Sequence, residues 1–113
     1  MTTTMTTSDI GLAFVEFTAK TGGKKRPVLI VGRINDDYLA FSITSKFESK
    51  SPQIKAVYYE IQNWQAAGLD LPSWIDTGHI LYLSQTQRIQ KIGTLPNIDR
   101  EKLTQFLRKR NAL

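Results

Sequence analysis

Arg26, Thr44 and Ser45 are the residues whose types and positions best support chemistry together. Arg26 stands in Lys24–Lys25–Arg26–Pro27, directly before the apolar, β-branched run Val28–Leu29–Ile30–Val31. Such a run reads as a strand buried on both faces, and Pro27, which cannot donate to a sheet ladder, marks its first residue. Thr44–Ser45–Lys46 closes the next apolar run, about Tyr38 to Ile43. Asn35–Asp36–Asp37 lies between the two and has the chemistry of a hairpin turn. In antiparallel pairing the start of one strand neighbours the end of the next, so a guanidinium and two hydroxyls converge at one sheet end. Five fixed N–H donors and hydroxyls that donate or accept suit a phosphodiester. Two plainer readings stand beside this one. Three cations at a loop can simply be solvated or pair with surface carboxylates, and a Thr–Ser at a strand end can be a self-satisfied turn.

Other chemistries are poorly represented. The carboxylates are scattered along the chain, with no pair of the kind that hydrolyses glycosides. Gly22–Gly23 precedes a strand rather than a helix, which is not the setting of a phosphate-binding glycine loop. Ser73, Asp76 and His79 lie close in sequence, but hydrolase triads are assembled from distant segments, and no nucleophile elbow surrounds Ser73. The absence of cysteine excludes disulfides and thiolate sites, and a single histidine excludes a histidine-rich metal site. No metal or cofactor is called for.

With 113 residues, 41% hydrophobic and 22% charged, the chain has the composition of one globular domain. Its net charge of +5 favours nucleic acid, an acidic protein or an anionic surface as partner. No apolar stretch approaches the ~20 residues of a membrane span. Threonine-rich Met1–Ser8 lacks the pattern of a secretory signal, so a cytoplasmic location is expected. Residues 1–9 read as a flexible lead-in with nothing to bury, and 10–113 as a single domain.

The elements that must hold the site are mostly short. Leu12–Phe17 reads as strand one, Thr18 to Lys25 as a mobile loop, and Val28–Val31 and Tyr38–Ile43 as the hairpin. Residues 46–55 read as an exposed loop interrupted by Pro52, and Ala56–Ile61 as a further strand. Gln62–Ala67 is a helical turn closed by Gly68. Trp74–Asp76, Ile80–Leu83 and Ile89–Ile92 are short strands. Asn97 caps a helix over Ile98–Arg110, whose Leu103, Phe106 and Leu107 fall at helical spacing and whose Arg108, Lys109 and Arg110 complement the helix dipole. The class is mainly β: a small, strongly bent antiparallel sheet or barrel with a C-terminal α-helix.

In this order and at these distances, several segments resemble the MazF/PemK-type toxins of bacterial toxin–antitoxin modules. They are an opening strand ending in Glu16, Arg26–Pro27 before the apolar strand, and Thr44–Ser45 closing the next. Gly68–Leu69 with Pro72–Ser73 follows, then Ile92–Gly93–Thr94–Leu95 leading into the last helix. The resemblance spans most of residues 10–108. It implies an SH3-like, plasmid-maintenance-toxin β-barrel with a C-terminal helix, usually a homodimer. It further implies metal-independent cleavage of single-stranded RNA (mRNA), restrained by an acidic antitoxin protein. Arg26 and Thr44 match family positions associated with catalysis, while Ser45 and Lys46 are added as their neighbours. The chain departs from the family in a short loop between Glu16 and Arg26. It departs again after Ser73, where Asp76 and Gly78 stand at the positions of a basic and an acidic residue, so that second pair is not carried over.

For such a cleavage, His79 is the one side chain with an unperturbed pKa near neutrality, and is the candidate for proton transfer; it can equally be a structural histidine in a strand. Glu16 is a second candidate base, or the partner of Arg26 or a lysine in an ion pair. Lys24, Lys25 and Lys46, with Lys50 and Lys55, would form a track for a phosphate backbone. Phe47 is expected to be the exposed stacking face, whereas tryptophans in a chain this small more often anchor a core or an interface. A non-catalytic nucleic-acid- or protein-binding module of SH3-like shape, or a gyrase-poison-type toxin, would share the architecture.

Overall fold

Consecutive apolar residues in the central strands point to opposite faces of a sheet, and here both faces are covered. The computed structural model describes residues 4–16 and 22–111. Its elements are β1 (Asp9–Glu16), β2 (Gly23–Ile34), β3 (Asp37–Thr44), α1 (Pro52–Lys55), β4 (Tyr58–Glu60), β5 (Trp74–Ser84), β6 (Gln90–Thr94) and α2 (Asn97–Asn111). The strands form one sheet in the order β4-β5-β3-β2-β1-β6, and every pairing is antiparallel.

Leu29, Phe41, Ile43, Tyr59 and Ile75 belong to one core, with Ile61, Leu69, Leu95 and Leu103 packed over them. Val28, Ile30, Tyr38, Ala40 and Leu83 belong to a second core on the other face. The second core also holds Ala13 of β1, although β2 and β3 separate β1 from β5. In a flat sheet those outer strands would lie about 14 Å apart, so the sheet curls on itself in the manner of a small barrel. Gln87 after β5 closes the gap further by donating to the Phe14 carbonyl at 2.9 Å. Helix α2 covers the first core with Leu103, Phe106 and Leu107. Asp99 in its first turn is fully buried and accepts hydrogen bonds from the Tyr59 hydroxyl, Gln62 N–H and Asn63 N–H at 2.7, 2.7 and 3.0 Å.

Several expectations need correction. The hairpin is present, with Asn35 in the left-handed region (φ 53°) and Ile34 paired with Asp37. Strand β2, however, extends five residues before Val28. Pro27 therefore sits inside the strand, opposite Leu12 of β1, at a point where β3 does not yet pair. One side of β2 is open there, which is where a residue without N–H is tolerated. Pro52 opens the short helix α1 instead of interrupting a loop, with Ser51 capping it through a bond from Ile54 N–H. The strand expected over Ala56–Ile61 shrinks to Tyr58–Glu60. Trp74–Asp76 and Ile80–Leu83 are parts of one strand, β5, interrupted by a bulge. Asn97 is already helical. The segment before β1 buries Met5, which is 1% exposed in the second core and whose N–H reaches the Tyr38 hydroxyl. One long flexible side chain fills the open end of a curled sheet. Phe17 and residues 18–21 of the loop expected over 18–25 lie outside the described residues, and Gly23 to Lys25 belong to β2.

Among the described residues no helix is long and apolar enough to cross a membrane.

Candidate functional site

The bulge in β5 decides what gathers at the sheet end. Ser42 pairs with Asp76 and Ala40 with Leu81, so the four residues Thr77 to Ile80 stand opposite Phe41 alone. The odd excess reverses which residues of β5 face which core. Before the bulge Ile75 enters the first core, leaving Trp74 and Asp76 on the opposite face; after it Leu83 enters the second. The base of the bulge is braced from two sides. Thr77 Oγ1 donates to the Val57 carbonyl at 2.6 Å, and Arg110 at the end of α2 donates to the Thr77 carbonyl and Oγ1.

Alternation along the strands then sets the neighbours. Val28, Ser42, Asp76 and Tyr58 form one cross-sheet row through the pairs Val28–Ser42, Ser42–Asp76 and Asp76–Tyr58. Two residues further along β2 and β3 stand Arg26 and Thr44, and Thr44 is paired with Trp74. Arg26, Thr44, Trp74, Asp76 and Tyr58 thus share one face of the sheet end. A cavity of about 350 Å³ opens at the same end, lined by Lys24, Lys25, Arg26, Thr44, Ser45 and Lys46, with Leu12, Ile43 and Leu69 among its apolar walls. Six of the nine residues singled out from the sequence therefore meet around one hollow.

Thr44 makes part of the turn anticipated as its plainer role. Its Oγ1 accepts from Lys46 N–H at 3.1 Å, which leaves its own proton free to donate. Arg26 is half-buried, while Lys24, Lys25, Ser45 and Lys46 are exposed. Ser73 is buried and donates to the Leu71 carbonyl at 2.8 Å, a structural use of its hydroxyl.

The other three candidates fare differently. The backbone of Glu16 ends β1 opposite Gly23, and its side chain lies outside the described residues. His79 is not part of the cavity lining; it projects from the bulge with its side chain 84% exposed, its Nδ1 3.8 Å from Asp76 Oδ2. Asp76 Oδ1 accepts from Gly78 N–H at 2.8 Å, which fixes the carboxylate. Phe47 is half-buried rather than the exposed ring that was expected. It stacks on Trp74 with centroids 4.7 Å apart and planes 8° from parallel, and the Lys55 ammonium sits over its ring at 4.9 Å. Its ring is thus engaged within the chain, and the most exposed aromatic residue among the described residues is Tyr82, at 66%.

Nothing in Tyr58–Tyr59–Glu60 distinguishes its two tyrosines until the strand register is known, and the register puts Tyr58 on this face. Its hydroxyl has no hydrogen-bond partner among the described residues. Burial pushes its pKa up, the Asp76 carboxylate adds to this, and the Arg26 guanidinium partly offsets it. The phenol therefore lies within electrostatic reach of both the cation and the carboxylate of this sheet end.

Over residues 9–110 the chain matches the family of PemK-like, MazF-like toxins of type II toxin–antitoxin systems. It belongs to that family. Among solved structures it is similar to the Mycobacterium tuberculosis toxin MazF-mt6, with a TM-score of 0.63 and 17% identity, over 91% of this chain and 97% of that one. At that identity the likeness is one of fold. No curated protein sequence matches the chain.

Two glycines of the PemK/MazF-like pattern have a clear physical reason here. Gly68 (φ 90°) closes the turn after Trp64, donating to the Gln65 carbonyl while Leu69 N–H reaches that of Trp64. A Cβ on Gly68 would overlap the Ile92 carbonyl, and one on Gly93 the Ala67 carbonyl. The two backbones touch, and this contact fixes the 68–71 stretch that forms part of the cavity wall.

Proposed function

We propose that this toxin is a metal-independent endoribonuclease that cleaves single-stranded RNA, working as a homodimer in the cytoplasm and neutralised by a cognate acidic antitoxin. The observation that carries the reading is the convergence of Arg26, Thr44 and Ser45 with Lys24, Lys25 and Lys46 around one cavity. Family membership supports it. In the reaction the 2′-oxygen of the substrate attacks phosphorus, an O–P bond to the 2′-oxygen forms, and the bond to the 5′-oxygen breaks. One proton leaves the 2′-hydroxyl and one is taken up by the departing 5′-oxygen.

The planar Arg26 guanidinium spans two phosphoryl oxygens, so it stabilises the charge that builds in the transition state. Thr44, with its proton free, donates to a phosphoryl oxygen or the 2′-hydroxyl. The lysines draw the backbone to the cavity, and Ser45 and Phe47 border its path. His79, against the Asp76 carboxylate, handles proton transfer, with Glu16 as the second candidate. The mix of cationic rim and apolar wall also fits a segment of acidic and apolar residues, which is what an inhibitory antitoxin tail would present.

The test is incubation of the purified protein with a long single-stranded RNA in EDTA, beside Arg26→Ala, with the ends mapped by sequencing. Discrete cuts ending in cyclic phosphate and lost in the variant are expected. Intact RNA at concentrations where the protein is folded would leave a binding module or a gyrase-type poison in its place.

A further inference from the structure

The Tyr58 hydroxyl is a polar group at this sheet end that the reaction as described leaves unused. It shares a face with Arg26 and Thr44, stands opposite Asp76 in the β4–β5 register, and has no hydrogen-bond partner among the described residues. Its ring is braced by Phe47, at 6.3 Å between centroids, which is itself stacked on Trp74. A rigid ring with a donor unpaired among the described residues, on the same face as a guanidinium whose charge is felt at the phenol, can add a neutral hydrogen bond where negative charge develops.

We propose that Tyr58 is a further catalytic residue of the ribonuclease, its hydroxyl donating a hydrogen bond to the phosphoryl oxygen held by Arg26 as the 2′-oxygen attacks. This rests on the ribonuclease reading. The phenol gains and loses no proton; it takes up part of the charge that Arg26 would otherwise hold alone. The charged groups around it are Arg26 from β2, Asp76 with His79 from β5, Glu60 on its own strand, and Lys55 from α1 across Phe47. Burial and Asp76 keep the phenol protonated through the neutral and mildly alkaline range, so it remains a donor wherever the enzyme works.

The test is single-turnover cleavage of a long single-stranded RNA in EDTA by the wild type and by Tyr58→Phe, which keeps the ring and its packing. The expected result is a loss of roughly 10²-fold in the rate of the bound complex, as for other single donors to a developing oxyanion, with RNA affinity and the urea midpoint little changed. Ring-fluorinated tyrosine at position 58 acidifies the phenol. It should bring an alkaline fall in rate into the measurable range, a change that packing alone would not produce. Tyr58→Phe cutting as fast as the wild type, or a fluorinated protein whose pH profile does not move, overturns the assignment and leaves the ribonuclease reading standing. A wild type that leaves RNA intact overturns both.

Discussion

Tyr58 and Tyr59 are consecutive on β4 and meet opposite fates. Tyr59 points into the first core, where its hydroxyl donates a hydrogen bond to Asp99 at 2.7 Å. Burial and that carboxylate push its pKa far up, and the bond ties helix α2 to the sheet. Tyr58 points to the face of Arg26 and Thr44, and its hydroxyl is left without a described partner. The same side chain, displaced by one residue, fastens the fold on one face and is offered to a ligand on the other. The difference is one of satisfaction. Asp99 and Tyr59 complete each other inside the chain, whereas Tyr58, Arg26 and Thr44 keep donors in reserve among the described residues. Groups that fold a protein are saturated by it, and groups that act on something else are not.

The comparison is broken most severely at Asp99. Asp99→Ala strands three donors, the Tyr59 hydroxyl and the N–H groups of Gln62 and Asn63. At ~1–3 kcal/mol for each unsatisfied group, and toward the low end for the two part-buried N–H groups, the unfolding free energy should fall by roughly 3–5 kcal/mol. Urea unfolding at neutral pH measures this, and a loss below about 1 kcal/mol would show that the knot does not hold the helix. On the other face, Arg26→Ala should leave that unfolding curve nearly in place and lower RNA cleavage by roughly 10²–10³-fold. Arg26→Lys should recover little, because an ammonium cannot span two phosphoryl oxygens. A large stability loss in Arg26→Ala would instead make the guanidinium a structural group.

These two predictions draw unequally on what a sequence can show. Arg26 and Thr44 were legible because a short hairpin fixes which strand ends meet, and its Asn35–Asp36 turn is local chemistry. Helix α2 was legible through its periodicity. The bulge in β5 was not, since only pairing with β3 reveals that four residues stand opposite one. Without it, neither the face of Asp76 nor the row joining it to Tyr58 can be assigned. Asp99 read as one more helical carboxylate, because its three donors lie 36 to 40 residues away in sequence. Met5 read as part of a lead-in, because the opening it fills exists only once the sheet has curled. The Gly68–Gly93 contact escaped for the same reason: Gly68 had a local reading as the end of a helical turn, and its touching Gly93 is tertiary.

The sharpest form of the comparison exchanges the two tyrosines' losses. Tyr59→Phe removes a hydrogen bond to a buried carboxylate and should cost about 1.5–3 kcal/mol of stability, with cleavage at saturating RNA little altered at a temperature where the variant is folded. Tyr58→Phe should do the reverse, leaving stability near wild type and slowing the reaction. Urea curves and single-turnover rates on the same two preparations decide it. Two variants that lose stability alike, or activity alike, would erase the distinction between the faces.

The smallest effect is expected at Asp9, a second saturated carboxylate. Burial alone would push its pKa up, but hydrogen bonds from Thr6 and Lys91 outweigh it and hold the carboxyl below its ordinary value of 3.8. Thr6 N–H donates to Oδ2 at 2.9 Å, and the Lys91 ammonium lies 3.2 Å from Oδ1. A carboxyl whose pKa is lower folded than unfolded binds its proton more tightly in the unfolded chain. Its contribution is therefore present above the unfolded value and drains away as pH falls through that value toward the folded one. Asp9→Asn, which cannot titrate, should be less stable than the wild type near neutrality by about 1 kcal/mol. The gap should close as urea midpoints are taken from pH ~6 down to pH ~3. A gap that stays constant over that range would mean that the carboxylate's charge is idle and that Asp9 serves only as a hydrogen-bond acceptor between the N-terminal segment and β6.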